Sequence, residues 1–87
     1  MKYGEFVTQQ ARKVNEFKDL VKWYLCGGFH NNEILNNRIG DIIDARIHAV
    51  KEIEYNYYDE LAAAQVKKRL IKEYNKLERQ LEKLKNV

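Results

Sequence analysis

Apolar residues recur at steps of three and four from the first residues onward, with Tyr3, Phe6 or Val7, Val14, Phe17, Val21 and Tyr24 forming one stripe. A period near 3.6 residues is that of an amphipathic helix, so a first helix is expected over residues 2–25. Gly27 and Gly28 follow it. Glycine accepts the left-handed backbone that commonly closes a helix, which sets the stop. Asn31 or Asn32 can then accept the free N–H groups that open a second helix, with Glu33 adding negative charge to its first turn.

The second helix is expected over residues 33–56, with Leu35, Ile39, Ile42, Val50, Ile53 and Tyr57 on one side. Asn36, Asn37 and Gly40 weaken its beginning and leave Asp41 as the latest start. From Asp41 to Val87 there is neither Gly nor Pro, so 47 consecutive positions lack a breaker. The pattern nevertheless falters at Asn56-Tyr57-Tyr58-Asp59. Running the register of Leu70, Tyr74, Leu77, Leu81 and Leu84 backwards puts Lys67, Glu60 and Asn56 on the seam, so the two stripes are out of phase. Such a break is either a stutter within one rod of about 70 Å or a turn. A turn is expected, because three helices of similar length close into a bundle while a rod needs a partner chain. Asp59 then caps a third helix over residues 60–85.

The expected fold is all-α: one domain over 1–87, a three-helix bundle of antiparallel hairpins. A chain of 87 residues is a single domain, and one this short buries only about 60% of its unfolded surface, so association into a helical homodimer is expected too. A parallel zipper through the last helix is disfavoured. With Tyr74 and Leu81 at a and Leu77 and Leu84 at d, Glu73 at g would meet Glu78 at e of the second chain.

Charge sharpens this picture because it is unevenly distributed. The net charge is +3, too small alone to argue for a polyanionic partner. Residues 1–27 carry +2, residues 28–61 carry −4 and residues 62–87 carry +5. In the third helix Lys68, Lys72, Lys76, Arg79 and Lys83 fall within roughly 80° of one another, opposite the leucine seam. If that seam faces the second helix the five cations point outward, and only flanking residues such as Lys67, Arg69 and Glu73 can pair across the interface. A row of cations rising about 6 Å per step can follow successive phosphates and release their condensed counterions. The plainer reading is a solvated face that keeps a small protein soluble.

Tyrosines offer surfaces on which unpaired bases stack. Tyr57 and Tyr74 lie on apolar stripes and are expected in the core, which leaves Tyr55 and Tyr58 as stackers. Lys68, Lys72, Lys76, Arg79 and Lys83, with Arg69 and Tyr58, are therefore the expected nucleic-acid contacts, for RNA or single strands. No helix carries Asn, Gln and Arg in an arrangement that reads base edges of duplex DNA.

Arg46 falls within the apolar stripe of the second helix, where a buried guanidinium needs a carboxylate or carbonyl partner. It either snorkels to an acid on a neighbouring helix or lies at an interface. Trp23 lies off the stripe of the first helix, beside Phe29. Trp23, Phe29 and Arg46 are the expected interface residues. They support an alternative role, a protein-binding inhibitor or adaptor of phage or mobile-element type acting on a host protein, with the cationic edge on an acidic partner.

Catalysis and cofactors find little support. Cys26, His30 and His48 provide too few ligands for a structural zinc site, and Cys26 with His30 lacks a third orienting group for nucleophilic chemistry. Gly27-Gly28 closes a helix and is no phosphate cradle. Arg38, Arg46 and Lys51 remain a conceivable clamp for a small dianion. The expectation is a protein that is not an enzyme and takes no metal or cofactor. A lone cysteine, no run of about 18 apolar residues and no signal-peptide core point to the cytoplasm and no membrane partner.

Overall fold

The apolar stripes become the buried sides of three helices, α1 (Tyr3–Leu25), α2 (Asn32–Asn56) and α3 (Ala63–Lys85). The computed structural model describes residues 2–85, and among these there is no strand. Met1, Asn86 and Val87 of the expected domain lie outside the described residues.

In α1, Phe6, Val14, Val21 and Tyr24 are buried, with Val7 and Phe17 packed at the margin. The helix closes through paired backbone bonds: Gly28 N–H donates to Trp23 O (2.9 Å) and Gly27 N–H to Tyr24 O (3.2 Å). This Schellman arrangement requires a left-handed residue, and Gly27 supplies it with φ +95°.

Of the two expected caps of α2, Asn31 or Asn32, it is Asn31 whose Oδ1 accepts the Ile34 N–H at 2.9 Å. The helix is continuous from Asn32, so the weak Asn36-Asn37 and Gly40 segment is helical throughout. Burial of Leu35 just before it and of Ile39 within it offsets the poor local propensity. The buried side runs Leu35, Ile39, Ile42, Ala45, Ala49, Ile53. This corrects the register expected at mid-helix: the centre of the stripe is Ala45 and Ala49, and Arg46 and Val50 sit at its edge. Alanines have little apolar area and leave a weak mark on a hydrophobic pattern.

The break near Tyr57 is a turn, and its cap differs from expectation. Glu60 N–H donates to Tyr57 O and Ala63 N–H to Glu60 O, both at 3.1 Å, so two consecutive turns separate α2 from α3. Asp59 lies exposed within the first of them and not at the start of α3, which begins at Ala63 after Ala62 at φ +62°. Tyr57 anchors the turn by packing on Phe6 (ring centroids 4.9 Å) and Tyr3 (5.5 Å) of α1.

Cross-helix pairs fix the directions. Arg46 meets Glu78 and Glu54 meets Lys67, so α2 and α3 are antiparallel. Tyr3 and Phe6 meet Tyr57 just before α3, and Lys18 meets Glu73 further along, so α1 and α3 run parallel. The helix α3 is the shared element: α2 packs along it most extensively, α1 less so, and α1 and α2 touch little. The bundle measures 43 × 18 × 16 Å.

Tyr74 stands at the centre with no exposed surface. Its hydroxyl donates to Gln10 Oε1 at 3.3 Å, and Phe17 approaches its ring edge-on at 6.2 Å. Burial, assisted by the charge of Glu73, pushes the phenol up to about 12 from its ordinary 10.0. Stability tied to the neutral phenol is complete below pH 10 and disappears as pH rises toward 12, because the unfolded chain loses that proton first. Urea denaturation at rising pH should show a loss on the order of 2 kcal/mol that Tyr74→Phe lacks. Separately, a Cβ added at Gly40 meets nothing within 4 Å. Gly40→Ala should therefore raise stability by about 0.5–1 kcal/mol, read as a higher urea midpoint.

Candidate nucleic-acid interface

Burial of Leu70, Tyr74, Leu77 and Leu81 sets the rotation of α3 about its own axis. Lys68, Lys72, Lys76, Arg79 and Lys83, on the opposite side, are all exposed. Among the described residues none of the five has a carboxylate within ion-pair distance. Two acids of the helix are engaged on its flanks, Glu73 with Lys18 of α1 and Glu78 with Arg46 of α2, each at 3.7 Å. Glu82, the third, is exposed.

Of the flanking residues expected to pair with the second helix, Lys67 does so, with Glu54 (3.4 Å), whereas Glu73 pairs with Lys18 of α1 (3.7 Å). Arg69 does not, which corrects that expectation. It looks toward α1, where Lys18 and Lys22 stand instead of an acid, and it is exposed.

That juxtaposition forms a groove of about 560 Å³ between α1 and α3. Lys18 and Lys22 line one side, and Arg69, Lys72 and Lys76 the other, with Leu25, Leu77 and Gln80 between them. Glu73 is its one lining carboxylate and already pairs with Lys18. Lys22, Arg69, Lys72 and Lys76 are left as uncompensated cations around an apolar strip. Lys72 and Lys76 belong to both the groove and the outward row. Sequence reasoning missed Lys18 and Lys22. Their spacing of four residues puts them on one side of α1, but no pattern within α1 tells which helix that side meets.

The remaining expected residues are dispersed. Tyr58 is exposed in the turn that precedes α3, as is Tyr55 at the end of α2 (73% each). Trp23 (53% exposed) and Phe29 (71%) stand at the corner between α1 and α2. Arg46 belongs to the α2–α3 seam instead. Its guanidinium donates to Asn75 Oδ1 and pairs with Glu78, so its stem lies along the bundle and its head is satisfied there. Arg38 bonds Asp41 at 3.2 Å and lines a separate α1–α2 groove with Lys13 and Phe17. Arg46 and Lys51 share an open α2–α3 groove, so the three side chains of the conceivable dianion clamp do not converge.

Among the described residues no group of three or more His, Cys, Asp or Glu is placed to hold a metal ion, and no helix is long and apolar enough to cross a membrane. Compared with protein-family models, curated proteins and solved structures, the chain matches none.

Trp23 offers a direct test of the corner. A Cβ placed on Gly28 would lie 2.4 Å from the indole Cδ2, so the ring rests on the glycine backbone. Gly28→Ala should displace the ring and shift the emission of this single tryptophan to longer wavelength, with helix content unchanged by circular dichroism. An unaltered spectrum would place the indole elsewhere.

Proposed function

We propose that the chain is a non-enzymatic nucleic-acid-binding protein of the cytoplasm that contacts phosphates of RNA or unpaired strands through the outward side of α3. The observation that carries this reading is the exposed row Lys68, Lys72, Lys76, Arg79 and Lys83, unpartnered among the described residues while Glu73 and Glu78 are held on the flanks. Cations already matched to carboxylates would gain little from a phosphate; unmatched ones gain the release of its counterions. Arg69 extends the row toward α1, and Tyr58 offers a stacking surface at its beginning. Association as a homodimer is part of the proposal. It is supported by Ile47, 44% exposed beside half-buried Val50 and Ile71 in a groove of about 450 Å³ along the α2–α3 seam.

A second reading, a phage-type inhibitor or adaptor docking on a host protein with the cationic side of α3 on acidic groups of that partner, is favoured by the exposure of Trp23 and Phe29.

An electrophoretic shift assay with generic RNA and DNA at rising salt separates the two. Native protein should bind single strands at low salt, with log affinity falling by about 0.7 per decade of salt for each phosphate neutralised. Lys72→Glu, Lys76→Glu and Arg79→Glu combined should abolish binding without loss of helix. Absence of binding by the native chain at low salt would transfer the assignment to the acidic-protein reading.

A further inference from the structure

The groove between α1 and α3 differs in kind from the outward row of lysines. A row of exposed cations recognises charge alone, whereas here cations from two helices flank an apolar strip. Leu25 is 51% exposed although it is the last residue of α1 and borders the buried Leu77. An apolar surface left open among cations suits a ligand that is anionic along one edge and flat and apolar along another. A nucleotide has that constitution; a bare polyphosphate lacks the second feature. The volume, about 560 Å³, falls within the range of clefts that take small ligands.

Continuity points the same way. Lys72 and Lys76 line the groove and also belong to the row that rises along α3 in steps of about 6 Å. A strand following that row can turn one unit inward without leaving the cationic surface.

Resting on the reading of the chain as a nucleic-acid binder, we infer that the α1–α3 groove seats one unpaired nucleotide of the bound strand, base against Leu25 and phosphate on Lys22 with Lys72 and Lys76. Duplexes are then discriminated against, because a paired base cannot enter. Arg69 and Lys22 set the direction in which the strand leaves α3.

The test compares a labelled oligouridylate with inorganic polyphosphate of matched length, by anisotropy across a salt series. Three variants are used: Leu25→Ser, Lys22→Ala, and Arg79→Glu combined with Lys83→Glu, which alters the row outside the groove. All four positions are exposed, and circular dichroism checks that the helices remain. Leu25→Ser should weaken the oligouridylate about fivefold and leave polyphosphate unchanged, since only the former has a base to lose apolar contact. Lys22→Ala should lower the salt slope for the oligouridylate by about 0.7. If the Arg79 and Lys83 reversal weakens the oligouridylate while Leu25→Ser and Lys22→Ala do not, the strand keeps to the row and the groove assignment fails alone. Equal loss of both ligands in Leu25→Ser would also overturn it. Tighter binding of an acidic peptide than of oligouridylate at equal salt would assign the groove to a protein. No binding of either ligand by the native chain would remove the parent reading and the groove assignment together.

Discussion

Burial of the seam Leu70, Tyr74, Leu77 and Leu81 against α1 and α2 is the constraint from which the rest of this structure follows. All four are at most 3% exposed, and each side chain of this size contributes about 1.5–3 kcal/mol on leaving water. The ion pairs joining α3 to its neighbours are partly exposed, at 3.4–3.7 Å. Pairs of that kind contribute roughly 0–1 kcal/mol each. The leucines therefore decide how α3 is rotated, and the charges occupy whatever direction is left.

This ordering explains why a chain with an acidic middle and a basic end does not neutralise itself. The simplest electrostatic arrangement would lay the cations of α3 on the acids of α2. Among the described residues Lys67 with Glu54 accomplishes this, and Arg46 of α2 with Glu78 of α3 is a pair of the opposite sense, both at the margins of the apolar contact. Lys68, Lys72, Lys76, Arg79 and Lys83 would have to turn toward the core to join them, exposing the seam. The fold thus preserves a local excess of positive charge that the small net value conceals.

The unequal packing of α1 and α2 on α3 adds the second ingredient. The helix α2 packs closely along α3. Where α1 lies further off, a groove opens beside Leu25 and Leu77, and the side chains bordering it are mostly basic. A charged row and a partly apolar cleft that share Lys72 and Lys76 make one continuous surface. Trp23 and Phe29 lie apart from it, at the α1–α2 corner.

Much of the architecture was legible in the residues alone: three helices, the glycine stop after Leu25, an Asn cap at 31 or 32, the turn near Tyr57 and the opposition of leucines and cations on α3. Each depends on spacing or backbone chemistry within a few turns, which a single helix encodes whatever it packs against. Other features were hidden because they depend on a neighbour. Ala45 and Ala49 hold the centre of the α2 contact although a pattern of large apolar residues points to Arg46 and Val50. The start of α3 at Ala63 follows from two consecutive turns and the anchoring of Tyr57 on Phe6 and Tyr3, which no capping rule at Asp59 anticipates. The tertiary structure alone decided that Lys18 and Lys22 confront Arg69, Lys72 and Lys76. Periodicity assigns a residue to one side of its own helix, but the distance between two helices and their mutual rotation are settled only when all the apolar sides close together.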